Sequence, residues 1–437
     1  MGLDDRIARV EQARWGLPAI VAVALAVRLA LALALPQQPI SDGLWYMDHA
    51  AEMARGLGYQ EAGYVTAFWP VGYPAVLAAA MSLLGPTLSA AILLNLIATA
   101  AIVLLIVRIG AQLGLDGLAT RIAAALYALY PAHIVYAGQP VSETVATAVA
   151  MAAFALLIGA RGRRWGSLAA GLLFGIATLM RPQMMFFPAG MLVAMALTLR
   201  DFGWRGALRA ALPLYLALAA VVTPWSLRNA AELGAAVPVS TNGGIALYYG
   251  ANDRATGDWY AWERTPVWDA TGVGIPYKQH IVEQVELDRR FKALAVDWIK
   301  RNPGRWTALG FRKMALLWER DSDAFWALDI GYPALATPIA AVRVFNQLCY
   351  FAILALGLSA LGVALPALWR RERLAPLLML ACMPAFATLT AFAFTGQGRY
   401  HYPAMPFLFV AAGWTLAALL RWWAARSPAP LLRATAA

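Results

Sequence analysis

Charge is scarce in this 437-residue chain: only 14% of residues are Asp, Glu, Lys or Arg, against 61% hydrophobic. Cysteine is scarcer still. Cys349 and Cys382 are the whole complement, and both fall inside apolar segments, which argues against a disulfide framework or a thiolate metal site. The four histidines, His49, His133, His280 and His401, show no metal-ligand spacing, so no cofactor is expected and a divalent metal has no support in the sequence. There is no phosphate-binding glycine loop of the GxxxxGKS type and no dinucleotide fingerprint after a strand. Internal repeats and paired discontinuous helices of the transporter kind are also missing.

Long uncharged runs are what the chain has in place of these features. Residues 71–107, 122–142, 165–180, 182–199 and 210–227 contain no Asp, Glu, Lys or Arg. A bilayer core asks for about 20 apolar residues per helix. The fold class expected is therefore an all-α polytopic membrane protein. About ten spans are expected, at 16–35, 88–107, 120–137, 142–160, 166–180, 183–199, 210–226, 344–368, 374–395 and 402–421. The first is read as an uncleaved helix in preference to a signal peptide, because it is long and interrupted by Arg28. Segment 72–84 is short and contains Pro74, with Gly85-Pro86 close behind. It is expected to lie along the membrane surface without crossing.

The net charge of +11 fixes the threading. Residues 1–16, 108–121, 161–164, 200–209, 370–373 and the stretch from Arg421 onward together hold the whole of that charge, and everything else balances to zero. Short Lys- and Arg-rich loops stay on the cytoplasmic side. Both termini are then cytoplasmic in an inner, plasma-type membrane. The basic residues flank apolar spans and form no folded basic patch, so no nucleic-acid partner is expected. Three parts follow: a membrane module at 1–226 whose first outer loop is 36–86, an outer insertion at 227–333 with mixed α/β character, and C-terminal membrane helices at 334–437.

The polar residues that interrupt hydrophobic sequence gather on the outer side. Asp42 follows Ser41 and opens a helix carrying Trp45, Tyr46, Asp48, His49 and Glu52; it reads either as a helix cap or as a functional carboxylate. Glu143, after Ser142, reads either as a favourable charge at a helix start or as a second functional acid. Arg28 is expected to snorkel. Arg181 and Arg399 are turn or interfacial residues on one reading and phosphate ligands on the other, since guanidinium groups match phosphate oxygens in bidentate fashion. The Asn242-Gly243 pair is a tight-turn signal, read first as a hairpin and second as a substrate contact. Residues 281–301 read as an amphipathic helix, and the aromatic run from Gly250 to Trp262, with Trp268, suits either a sugar-binding surface or a membrane interface.

Several short runs, in this order, carry a resemblance: Ser41-Asp42-Gly43-Leu44-Trp45-Tyr46, Ala67-Phe68-Trp69-Pro70-Val71-Gly72-Tyr73-Pro74, Tyr130-Pro131, Ser142-Glu143-Thr144, Arg181-Pro182, Pro224-Trp225-Ser226-Leu227-Arg228-Asn229, Ser240-Thr241-Asn242-Gly243-Gly244 and Gly398-Arg399-Tyr400-His401-Tyr402-Pro403. Together they resemble the GT-C superfamily of lipid-linked sugar transferases, of the glycosyltransferase 39 type, which includes protein O-mannosyltransferases and aminoarabinose transferases. The resemblance implies a glycosyltransferase that moves a sugar, with inversion, from a polyprenyl-phosphate carrier to an acceptor lipid, glycan or protein at the outer membrane face. It makes Asp42 the general base and Glu143 a second acid that assists it or orients the acceptor. The substrate-binding residues expected beside them are Asp48, Arg181, Asn242, Arg399, Tyr400 and His401. Several relatives place a second acid directly after the first, where this chain has Gly43; a paired carboxylate then has to be Asp48 or Glu143. The competing expectations are a lipid or polysaccharide transporter without glycosyl transfer and a noncatalytic assembly component.

Overall fold

A computed structural model describes residues 16–258, 281–370 and 372–426. Among these residues seven helices are long and apolar enough to cross a membrane, and four shorter apolar helices accompany them. The protein is multi-pass. In chain order the elements are α1 (Gly16–Ala34), α2 (Asp42–Ala54), strands β1 (Gln60–Glu61) and β2 (Tyr64–Val65), α3 (Gly72–Leu84), α4 (Leu88–Gln112), α5 (Gly117–Leu129), α6 (Pro131–Tyr136), α7 (Glu143–Ala160), α8 (Arg164–Met180), α9 (Phe187–Thr198) and α10 (Gly203–Leu233). Then come α11 (Gly243–Tyr249), α12 (Gln284–Arg301), α13 (Pro303–Glu319), α14 (Trp326–Gly331), α15 (Ala336–Arg370), α16 (Cys382–Ala393) and α17 (Met405–Arg426). A 3-10 turn, Gly398–Ala404, leads into α17.

The loops that hold the excess positive charge meet at one end of the bundle. Gly16 lies against the Arg121 guanidinium, Arg421 reaches Asp116 at 2.6 Å, and Gly162 packs on Phe202 and Gly206. The starts of α2 and α7 lie at the opposite end, with the turn before α17. α3 both begins and ends there: a Cβ on Gly72 would press on the backbone of Leu179 and Met180, and its last residue is only a few positions before α4. Asn95, two turns into α4, is bonded to the carbonyls of Ala137 and Gln139 at that same end. Both ends of α3 thus lie at the same end of the bundle, and its thirteen residues at 1.5 Å each are shorter than a bilayer core.

Three expectations change. The span expected at 120–137 is broken at Tyr130, where Pro131 lacks an N–H and pushes the preceding residue into extended backbone. Arg28 does not snorkel. It is fully buried and donates to the carbonyls of Tyr127 at 3.1 Å and Ala128 at 2.8 Å, at the break where Pro131 has no N–H to give Tyr127, whose other donor is the Tyr130 N–H at 3.4 Å. Asn346 of α15 completes the repair by accepting from the Ala132 N–H at 2.9 Å.

The third change concerns the insertion. Among the described residues the insertion is helical, and the two strands found there, paired Gln60 to Val65 and Glu61 to Tyr64, lie in the first loop. Asn242-Gly243 starts α11 and forms no hairpin. The reason is packing: Gly244 comes so close to α12 that its N–H bonds the Asp288 carboxylate at 2.6 Å. α12 itself covers most of the amphipathic segment read at 281–301. α10 continues past the expected boundary at 226. The aromatic segment containing Trp262 and Trp268 lies outside the described residues.

Candidate active site

Asp42 is the first residue of α2, but its carboxylate does not cap that helix. The residue before it, Ser41, holds a positive φ of 47°, a strained setting for a non-glycine side chain, and makes no side-chain cap bond. The Asp42 carboxylate instead meets Arg399 at 2.7 Å. Glu143 likewise begins α7 and is 3% exposed; it pairs with Arg181 at 2.8 Å. Ser142 leaves the α7 N-terminus uncapped and its hydroxyl accepts from Arg181 at 3.3 Å.

These two ion pairs form one cluster. The Tyr46 hydroxyl, one turn beyond Asp42, is pushed well above its usual range, first by burial and then by the charges of Asp42 and Glu143, while Arg181 and Arg399 act in the opposite sense. All four charges therefore bear on one phenol, and Glu143 adds to the field that Asp42 places on Arg399. The Nε atoms of Arg181 and Arg399 are both buried without a hydrogen-bond partner. Each guanidinium in the two ion pairs thus keeps one buried N–H without a partner.

The first loop is drawn to α7 by close contact at Gly43. A Cβ there would come within 3.2 Å of the Pro140 ring, so a glycine at this position eases the approach of α2 to the 140 turn. A buried amide chain holds that turn. Gln139 donates to Gln37 at 2.8 Å and to the Ala324 carbonyl at 2.7 Å, and Asn95 donates to its carbonyl.

No protein-family model matches the chain, and no curated protein matches it in sequence. Solved structures do. The apo crystal structure of the Archaeoglobus fulgidus oligosaccharyltransferase superposes with a TM-score of 0.55 at 12% identity, covering 94% of this chain and 51% of that one. The fold is GT-C-like. AglB from Archaeoglobus fulgidus, in complex with an inhibitory peptide and a dolichol-phosphate, gives 0.53 at 13% identity, with 93% and 50% covered. ArnT from Cupriavidus metallidurans, bound to undecaprenyl phosphate, gives 0.41 at 17%, with 92% and 78% covered. The chain spans about half the length of the oligosaccharyltransferases it matches.

Within this GT-C-like frame, the residues expected at the site separate. Asp42, Glu143, Arg181 and Arg399 come together, and the Arg399 guanidinium lies 5.5 Å from the Tyr400 ring centre. Asp48 is exposed on α2, more than a turn from Asp42 and off its face, so of the two further acids it is Glu143 that stands in the cluster with Asp42. Asn242 accepts from Ser240 within its own loop at 2.8 Å, and among the described residues no bond joins it to the cluster. His401 points elsewhere: it is 1% exposed, stacked between Trp318 and Tyr350, with Nδ1 at 2.8 Å from the Leu317 carbonyl and Nε2 at 3.4 Å from Asp321.

Sequence reasoning passed over Asp321 and Asp323. The Tyr130 hydroxyl donates to Asp321, whose backbone is gripped by Asn346 and Gln347. Burial alone would raise the Asp321 carboxyl, but His401 and Tyr130 outweigh it and hold the group below its ordinary value. Asp323 accepts the Arg399 backbone N–H at 2.8 Å. Both acids sit in an insertion whose charges balance, so no pattern in the sequence marks them. Among the described residues no group of three or more His, Cys, Asp or Glu is placed to hold a metal ion.

Proposed function

We propose that the chain is a membrane glycosyltransferase that moves a sugar from a polyprenyl-phosphate donor to an acceptor on the extracytoplasmic face, with inversion. What carries this reading is the pair of acid–arginine contacts around Tyr46, with both arginine Nε–H groups buried and unpartnered. An oxyanion entering between them satisfies both. The dolichol-phosphate bound by the fold neighbour from Archaeoglobus fulgidus is of the expected donor class. The cluster lies at the bundle end opposite the positive loops, and the positive-inside rule assigns that end to the outer compartment.

In this mechanism the donor phosphate takes the guanidinium of Arg399 from Asp42, with Arg181 alongside. The freed carboxylate accepts the proton of the acceptor hydroxyl as that oxygen attacks the anomeric carbon from the face opposite the phosphate. The anomeric carbon–oxygen bond breaks, and polyprenyl phosphate leaves with the electron pair. Arginine donors stabilise its growing charge, so a strong general acid is not required. Glu143 holds Arg181 in place and orients the acceptor. Inside the helices, Arg28 and Asn95 are anchored to carbonyls between residues 24 and 139, which favours a structural part for both over a transport path.

The test is incubation of purified protein with a panel of polyprenyl-phosphate sugars and candidate acceptors, watching for released polyprenyl phosphate and a new glycosidic bond. Lipid movement across vesicles without bond formation overturns the enzyme reading in favour of transport.

A further inference from the structure

The turn that presents Arg399 is mounted on the insertion. Ahead of it, the Gly396 N–H donates to the Gly257 carbonyl at 2.8 Å, and the buried Lys313 amine reaches the carbonyls of Phe392 and Ala393 at 3.4 and 3.5 Å. Lys313 thereby places a cation on the open carbonyls at the end of α16, where the helix dipole favours it. The approach is tight: a Cβ on Gly396 would fall 2.1 Å from the Lys313 carbonyl. Beyond Arg399, His401 is tied to Leu317 and Asp321. Between these attachments, Asp323 takes the backbone N–H of Arg399 itself. Residues 257, 313, 317, 321 and 323 all belong to the segment 227–333.

An arginine side chain has several rotatable bonds, so the point its guanidinium reaches depends on where its own backbone is pinned. The Asp323 carboxylate is the pin. A charged acceptor on a backbone N–H makes one of the stronger hydrogen bonds available to a protein. Its own position is fixed two residues earlier, where Asp321 is gripped from Tyr130, Asn346, Gln347 and His401. We propose that Asp323 is a positioning residue for Arg399: it sets the reach of the guanidinium, and so the affinity for the phosphate end of the donor, without touching the donor. This rests on the reading of Arg399 as the phosphate ligand.

The experiment measures binding of undecaprenyl phosphate, without sugar or acceptor, to the full chain in nanodiscs. Asp323→Ala is expected to raise Kd about ten-fold, on the scale of a lost charge-assisted bond. Asp323→Asn keeps an oxygen that can accept the Arg399 N–H but without the charge, and is expected to weaken binding less than alanine does, by about three-fold. Unchanged affinity in the alanine variant, while Arg399→Ala binds weakly, overturns the positioning role and leaves the phosphate reading standing. Equal weakening by Asn and Ala also overturns it, since charge and not placement would then be at work. Unchanged affinity in Arg399→Ala removes the phosphate reading and this proposal with it. If the alanine variant does not fold, Asp323→Glu keeps charge and acceptor but displaces the turn; about ten-fold weaker binding is expected, and unaltered binding overturns the proposal.

Discussion

Arg399, at the turn before α17, holds the carboxylate of Asp42, at the start of α2, across a 2.7 Å contact between residues more than 350 positions apart in the chain. On the proposed mechanism, a base in that state is occupied by the same cation that the donor phosphate would take. Asp42→Asn keeps the side-chain shape and removes the basic oxygen. Transfer from a polyprenyl-phosphate sugar should fall by about 100-fold or more, the scale of a lost general base, while membrane insertion stays intact. Near-normal turnover would remove Asp42 from the chemistry.

Arg399→Lys tests whether the planar fork matters. Lysine supplies a point charge and cannot match two phosphate oxygens with two fixed donors. Donor KM should rise about ten-fold or more, with a smaller change in kcat. An unchanged KM would take Arg399 out of the phosphate contact.

Glu143→Gln separates a supporting role from a catalytic one. It strips the charge partner from Arg181 at a site where Glu143 is only 3% exposed. Breaking a buried pair costs about 3–5 kcal/mol. The melting temperature should therefore drop, and Glu143→Gln with Arg181→Gln together should recover part of it. No change in melting would show that the pair carries little structural load.

The sidedness argument has its own check. Cysteines introduced at Ser41 and at Arg161 should label with a membrane-impermeant thiol reagent from opposite sides of sealed vesicles, position 41 from the outer side. Labelling of both from one side would sink the threading and the shared placement of the two acids.

Lys313 gives a pH signature. Burial lowers its amine from the ordinary 10.5 to about 8, so folding disfavours the charged form. The unfolded chain then binds more protons than the folded one between those values, and stability rises with pH through that window. The cost is fully present below about pH 8 and gone above about 10.5. Relative to Lys313→Met, the unaltered protein should gain thermal stability between pH 8 and 10 in detergent; a flat difference would show the amine is not desolvated.

Much of the membrane fold was legible because its physics is written locally. Uncharged runs mark α4, α8, α9 and α10, and the placement of arginine alone separated the two ends of the bundle. The Asp42–Glu143 association could also be reached, since both acids fall on the same side of that threading. What could not be read depends on distant partners. Arg28 looks like a snorkelling residue until the broken backbone at Tyr130-Pro131 is set beside it. Asn242-Gly243 carries a sound local turn signal that loses to the packing of Gly244 on Asp288. His401 sits in a motif next to Arg399, yet the 3-10 turn sends adjacent side chains to different partners, one to Asp42 and the other to Asp321.

The buried guanidinium of Arg28 also bears on how the protein is made. In α1 alone, a cation two-thirds of the way along an apolar helix is costly to place in lipid, up to the roughly 2.5–3.5 kcal/mol that insertion scales give at a helix centre. The carbonyls that receive it belong to Tyr127 and Ala128, roughly a hundred residues later on the ribosome. The first helix is therefore not at home in the bilayer until α5 has arrived. Assembly of this half of the bundle has a built-in order, with a waiting period that ends when the break before Pro131 docks.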